Sequence, residues 1–255
     1  MVDKKLLEIE TERLVKSIKN TFKVQDETNI LEALERLMTS IPEKRKSSYG
    51  IVSVIAVLCK SIDKYLDGQV FDLGQLIYSN CTNFRSVSLG LGLISHVGIR
   101  NPEKVLPILV EAANHELWEV KEFVQMFIRK ITKENKTLVQ EYLLDLTKSD
   151  CASIRRFSSE ALRPVVENKW IQEEPEFSLT ILRKLFKEPE EFPKVSVGNN
   201  LSDLSRKNPE LILEVVKELI SLDDDNSRFI AHRACRNLVK LYPIESDGYT
   251  KHRHI

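Results

Sequence analysis

Between Phe84 and Lys240 one unit recurs five times, a short polar turn followed by a helix that opens with cationic or amide side chains. Overlaying the units aligns Phe84, Val120, Ile154, Pro193 and Ala231, at steps of 36, 34, 39 and 38 residues. Those steps are the length of two-helix solenoid repeats, in which each unit buries its apolar face only against its neighbours. The residues just after the landmarks are Arg85, Lys121, Arg155, Lys194 and His232. Equivalent positions of adjacent repeats thus carry basic groups, and stacking is expected to bring them to one face of a curved array. The expected fold class is an all-α helical-repeat solenoid with a concave basic face.

Charge sharpens this expectation. The chain has 38 basic and 38 acidic residues and a formal net charge of zero, so no whole-molecule field draws it to nucleic acid, and any such attraction must come from a segregated face. Acidic clusters do stand apart from the basic column, at Glu173, Glu174 and Glu176, at Glu188, Glu190 and Glu191, and at Asp223, Asp224 and Asp225. They fall in expected connections or first helical turns, where carboxylates suit the helix dipole. With 8 glycines and 9 prolines, the chain has few of the turn residues that a sheet-rich fold needs.

Cys59, Cys81, Cys151 and Cys235 are far apart and lie mostly in or beside apolar runs, and the chain opens Met1, Val2, Asp3, Lys4, Lys5 without a signal peptide. A reducing cytoplasm with unpaired thiols is expected. The longest apolar stretch, residues 51–59, is half a membrane span at most, so no membrane partner is expected.

Amphipathic spacing predicts helices over residues 3–20 and 27–39, with Pro42 ending the second. Residues 47–64 also read as a helix, although their β-branched density leaves a strand open. Further helices are predicted over 72–78, 84–94, 104–113, 118–131, 136–146, 153–166, 177–186, 195–205, 210–219 and 228–241. Asn101-Pro102 and Asn208-Pro209 open two of them, since proline in a first turn forgoes a donor that would be unpaired anyway. Three parts follow: residues 1–79, helical and without a diagnostic motif; residues 80–243, the repeats; and residues 244–255, an accessory tail. No zinc-ligand spacing, phosphate-binding glycine loop or nucleophile motif occurs, so neither metal nor cofactor is expected. Gly90 and Gly92 sit inside a helical pattern and are read as sites of close helix packing.

Three carboxylates stand out. Glu122 follows Trp118 by four residues, so indole and carboxylate share a helical face; Glu160 lies four after Arg156, and Asp203 four after Asn199. Ordinary pairing would join Glu160 to Arg156 or Arg163, Asp203 to Lys207, and Glu122 to a nearby cation, with Trp118 filling the interhelix core. A functional reading gains because acids, arginines and asparagines crowd the same inner helices.

The segments Trp118-Glu119-Val120-Lys121-Glu122, Arg155-Arg156-Phe157-Ser158-Ser159-Glu160-Ala161-Leu162-Arg163-Pro164, Ser196-Val197-Gly198-Asn199-Asn200-Leu201-Ser202-Asp203-Leu204-Ser205 and Ala234-Cys235-Arg236-Asn237-Leu238-Val239-Lys240 resemble the HEAT-like DNA alkylation repair glycosylases, in particular the C-type branch. The resemblance implies a monofunctional, monomeric base excision repair enzyme that releases cationic N3- or N7-alkylated purines from alkylated double-stranded DNA. It implies a catalytic role for Glu122, with Glu160 and Asp203 lining the same cleft and Trp118 facing the deoxyribose. Arg85, Lys121, Arg155, Arg156, Arg163, Lys194, Asn199, Asn200, Arg233 and Arg236 are the residues expected to contact substrate or DNA. The chain departs from the family pattern after Arg163-Pro164, at Pro193, at Gly198 where Ala is expected, and at Arg233 where His is typical. A non-catalytic module that binds nucleic-acid structure and a protein-interaction scaffold are the competing readings.

Overall fold

The computed structural model describes residues 68–242 continuously, together with scattered positions between 16 and 63. Among the described residues every regular element is helical and no strand occurs, as expected for a HEAT-like helical-repeat solenoid. The helices predicted over 3–20 and 27–39 and the tail over 244–255 fall largely or wholly outside these residues. Ile55, Leu58, Cys59 and Ile62 are helical, which decides the strand-or-helix alternative for that segment. The chain divides into two compact units, residues 1–128 and 129–255.

In the first unit, α1 (Val70–Asn80) packs along α2 (Phe84–Gly98), which in turn packs on α3 (Pro102–Ala112). Asn83 caps α2 by accepting from the Arg85 amide at 2.9 Å. α2 is buried almost all round its circumference, so its sequence is nearly continuous in small and apolar residues rather than striped. Its two glycines are where neighbours come closest. A Cβ at Gly90 would lie 2.8 Å from the Gly74 carbonyl and 2.8 Å from the Tyr78 amide, and one at Gly92 would meet the Ile55 side chain at 2.7 Å. Both are therefore packing glycines. Pro107 lies within α3 on its exposed side, where water can satisfy the carbonyl its ring leaves unpaired.

α4 (Trp118–Glu134) runs through the boundary between the units. The second unit contains α5 (Lys136–Leu146), α6 (Ala152–Glu160), a 3-10 segment (Val166–Gln172), α7 (Pro175–Leu182), α8 (Glu191–Leu204), α9 (Pro209–Ser221) and α10 (Asp225–Leu238). α8 packs along both α6 and α10, so these three form the inner row of the unit. Prolines open α7 and α9, and Asp224 caps α10 by accepting from Ser227 N at 3.0 Å.

Several predicted boundaries shift: α2 runs to Gly98 rather than Ile94, α7 ends at Leu182 rather than Phe186, and α10 spans Asp225–Leu238 rather than 228–241; two further shifts trace to prolines. α6 stops at Glu160 rather than continuing to Val166, because a residue preceding proline is disfavoured in the helical region and Pro164 ends the run. α8 starts at Glu191 rather than Val195: Pro193 falls in the first turn, where its missing donor costs nothing.

Candidate functional site

The motif residues of the first unit are Arg85, Trp118, Lys121 and Glu122. Arg85 is 7% exposed, and its Nη1 donates to the Met38 carbonyl at 3.1 Å. Its guanidinium also lies 5.7 Å from the Phe84 ring centroid. Trp118, at the start of α4, is 47% exposed, so it does not fill the interhelix core as ordinary packing would have it. Glu122, one turn on, is half-buried and accepts from Gln125 Nε2 at 2.8 Å. Gln125 is itself buried, so one carboxylate oxygen is oriented by a side chain fixed in the core. Lys121 is half-buried.

The motif residues of the second unit are joined from repeat to repeat. Glu160 is 5% exposed; its Oε1 accepts from the Ser196 hydroxyl at 2.6 Å, and its Oε2 lies 3.7 Å from Arg163 Nη1. Arg163 also donates to Asp203 Oδ2 from Nη2 at 2.5 Å and from Nε at 3.1 Å. Arg206 approaches the other Asp203 oxygen at 3.5 Å. One guanidinium is thus shared between two carboxylates from adjacent inner helices, fixing both in place and balancing part of their charge. The Lys207 pairing expected for Asp203 does not form; Lys207 binds Glu173 at 2.6 Å instead.

Asn200 is fully buried and donates to the Ser159 carbonyl at 2.8 Å, while its Oδ1 has no partner among the described residues. An unpaired amide oxygen beside the Ser159-Glu160 end of α6 is a spare acceptor in a polar cluster. Asn237 repeats the arrangement one helix along, donating to the Ser202 carbonyl at 2.6 Å.

The cations are held differently from one another. Arg155 forks onto Glu188, Nε to Oε2 and Nη2 to Oε1, both at 2.7 Å, and its Nη1 donates to the carbonyls of Ser149 and Asp150. This hydrogen-bonded pairing raises the Arg155 pKa, with burial opposing. Lys194 donates to Asn226 Oδ1 at 2.8 Å and lies 5.0 Å from the Phe229 ring centroid. Arg156 is half-buried on α6. Arg233 Nε and Arg236 Nη2 both donate to Asn199 Oδ1, at 2.9 and 2.7 Å.

Sequence reasoning passed over Ser196 and Glu188 as site residues. Ser196 lies 36 residues after Glu160, close to one repeat length, so aligning polar residues between repeats would have found it. Glu188 sits in an acidic cluster, and spacing carried no sign that its side chain turns inward.

Among the described residues no helix is long and apolar enough to cross a membrane, and no group of histidine, cysteine and carboxylate side chains is arranged to hold a metal ion. None of the four cysteines forms a disulfide.

No protein-family model and no curated protein matches this chain. Solved structures do. AlkD2 from Streptococcus mutans superposes with a TM-score of 0.69 at 18% identity, over 83% of this chain and 98% of that one. The Pseudomonas fluorescens alkylpurine DNA glycosylase AlkC, bound to DNA containing an abasic site analog, gives 0.63 at 16% identity over 91% of this chain, which spans only 63% of AlkC. The protein smu.31 from Streptococcus mutans UA159 gives 0.56 at 17%, over 89% of this chain and 98% of its own. At such identities the likeness is one of fold: this chain has the helical-repeat fold of AlkD2 and AlkC.

Proposed function

We propose that the protein is an alkylpurine DNA glycosylase of the C-type branch, releasing cationic N3- or N7-alkylated purines from duplex DNA. The observation that carries the reading is the set of carboxylates held in fixed orientation on the motif helices: Glu122 by Gln125, Glu160 by Ser196, and Asp203 by Arg163. The fold shared with a DNA-bound AlkC supports it.

The chemistry suits such groups. Alkylation has already made the base a cationic leaving group, so cleavage of the C1′–N bond needs little protonation. As the bond breaks, the base departs neutral and positive charge develops on C1′. A carboxylate close by stabilises that charge and accepts the proton lost by the water that adds to C1′, leaving free base and an abasic sugar. We assign this role to Glu122, whose carboxylate Gln125 orients one turn after the exposed Trp118, with Trp118 against the deoxyribose. Lys121, Arg156, Lys194, Arg233 and Arg236 are assigned to backbone phosphates, where they supply affinity that is independent of sequence and weakens with salt.

A non-catalytic, structure-binding role is the second reading. It is favoured by the burial of Glu160 and the engagement of both its oxygens, which restrict its access to a sugar. Chromatography of methylated duplex incubated with the purified protein separates the two. Free 7-methylguanine or 3-methyladenine is the expected product, and duplex binding with no free base at high protein concentration leaves only the second reading.

A further inference from the structure

Arg233 and Arg236 lie one turn apart on the same helix and bring two full positive charges to a single neutral oxygen, Asn199 Oδ1. Among the described residues neither guanidinium has a carboxylate within ion-pairing distance, whereas Arg155, Arg163, Arg183 and Arg228 each do. Burial and then the Arg236 charge hold the Arg233 guanidinium below its ordinary pKa range, with Glu191 opposing. Glu191, the smallest of these influences, offsets the pair's charge only in part. The pair's arrangement is nonetheless built in. Gly198 is buried beneath the Arg233 side chain, and a Cβ there would lie 2.7 Å from Arg233 Cβ and 3.0 Å from both Cγ and Cδ. These stem atoms cannot swing away as a side-chain tip could, so the glycine makes the groove in which Arg233 lies. Asn199, the next residue, turns both forks the same way. Arg236 Nε is taken by the Arg233 carbonyl at 3.2 Å. The terminal nitrogens of Arg233 and one of those of Arg236 have no acceptor among the described residues.

We propose that Arg233 and Arg236, drawn together by Asn199 over the Gly198 groove, form a fork that binds one phosphate group, and that its ligand is a single backbone phosphodiester of duplex DNA. Guanidinium groups suit the task because their paired donors match two oxygens of one phosphate. The choice of duplex rests on the function proposed above; the phosphate fork itself does not. Gly198 is a positioning residue, acting only through the course it allows Arg233.

The test has two arms. In the first, thermal unfolding is followed in inorganic phosphate and in chloride at matched ionic strength. The wild type is expected to gain stability in phosphate beyond chloride. Arg233→Ala and Arg236→Ala each lose that gain, and Asn199→Asp loses it while folding normally, because its carboxylate occupies the fork. Gly198→Ala also loses it and is destabilising, yet costs markedly less in an Arg233→Gly background, which removes the Cβ, Cγ and Cδ that the new methyl group would meet, an outcome that general helix damage would not give. Equal stabilisation by phosphate and chloride, or a phosphate response that survives in the Arg233→Ala/Arg236→Ala variant, overturns the fork. In the second arm, duplex affinity is measured against salt. Removing both arginines should lower the log–log slope by about 0.9, the share of one phosphate rather than two. An unchanged slope overturns the assignment of the fork to a duplex phosphodiester and leaves the glycosylase reading intact. A fork-dependent phosphate response without any duplex binding sustains the fork, sinks the duplex assignment, and points to a phosphorylated protein or an RNA.

Discussion

Substituting Arg155 by methionine would strand a charge. Glu188 has a side chain only 2% exposed, against 13% for Arg155, and receives two of its hydrogen bonds from the Arg155 fork. In the Arg155→Met variant one bond to the carboxylate remains among those described, from the Glu190 amide at 3.0 Å. Removing one partner of a buried ion pair costs roughly 3–5 kcal/mol, whereas replacing both partners by well-packed apolar residues is often neutral. For a protein of this size the single change corresponds to a fall in Tm on the order of 10 °C. Calorimetry or urea unfolding should show this loss for Arg155→Met and its recovery, in large part, in Arg155→Met/Glu188→Leu. The double variant should keep its affinity for duplex DNA, since Arg155 spends all three of its donor nitrogens inside the protein. A single variant within about 1 kcal/mol of wild type, or a double variant no more stable than the single, would refute the argument that this arginine is structural.

Three further outcomes are expected. Gly90→Ala should destabilise the first unit by about 1–3 kcal/mol in denaturant unfolding, because the new methyl group meets backbone atoms of α1 that cannot move aside separately. Ser196→Ala should cost roughly 1.5–3 kcal/mol, the price of a hydrogen bond to a buried carboxylate, whereas Ser→Ala at an exposed site such as Ser221 should cost little. Burial pushes the Cys235 thiol up to about 11 from 9.0. Between those values the unfolded chain loses a proton that the folded chain keeps, so this thiol's contribution to stability is constant below pH 9 and is lost as pH rises toward 11, by about 3 kcal/mol in all. Cys235→Ala should make that part of the pH profile shallower, the remaining slope coming from Cys81, whose thiol burial also pushes up to about 11.

The repeat architecture was legible because solenoid units must each present an apolar face at a regular interval, and the landmarks from Phe84 to Ala231 preserve that interval. Helix starts at Pro102 and Pro209 were legible for the same local reason, as a proline in a first turn has one energetic meaning. What the pattern did not carry was the destination of long side chains. Arg85 and Arg155 occupy the same column as Lys194, yet the first turns into the core and the second into Glu188, 33 residues away. Spacing along one helix cannot reveal a partner on the next, which also explains why Asp203 joins Arg163 rather than Lys207. Gly198 and Arg233 stood out in the sequence as two separate departures from a family pattern. In the structure they are one contact, the side chain of the second filling the space left by the first.

The proposed chemistry requires a carboxylate on α4 to meet the positive charge that develops on the sugar as an alkylpurine departs. The most direct measurement is the single-turnover rate of base release from methylated duplex, with wild type and Glu122→Gln compared at saturating enzyme. Release of 7-methylguanine or 3-methyladenine by the wild type is expected, and a rate lower by about 10²–10⁴-fold in the variant, with duplex affinity preserved. Equal rates in the two proteins, or no free base from either, would contradict the proposed chemistry.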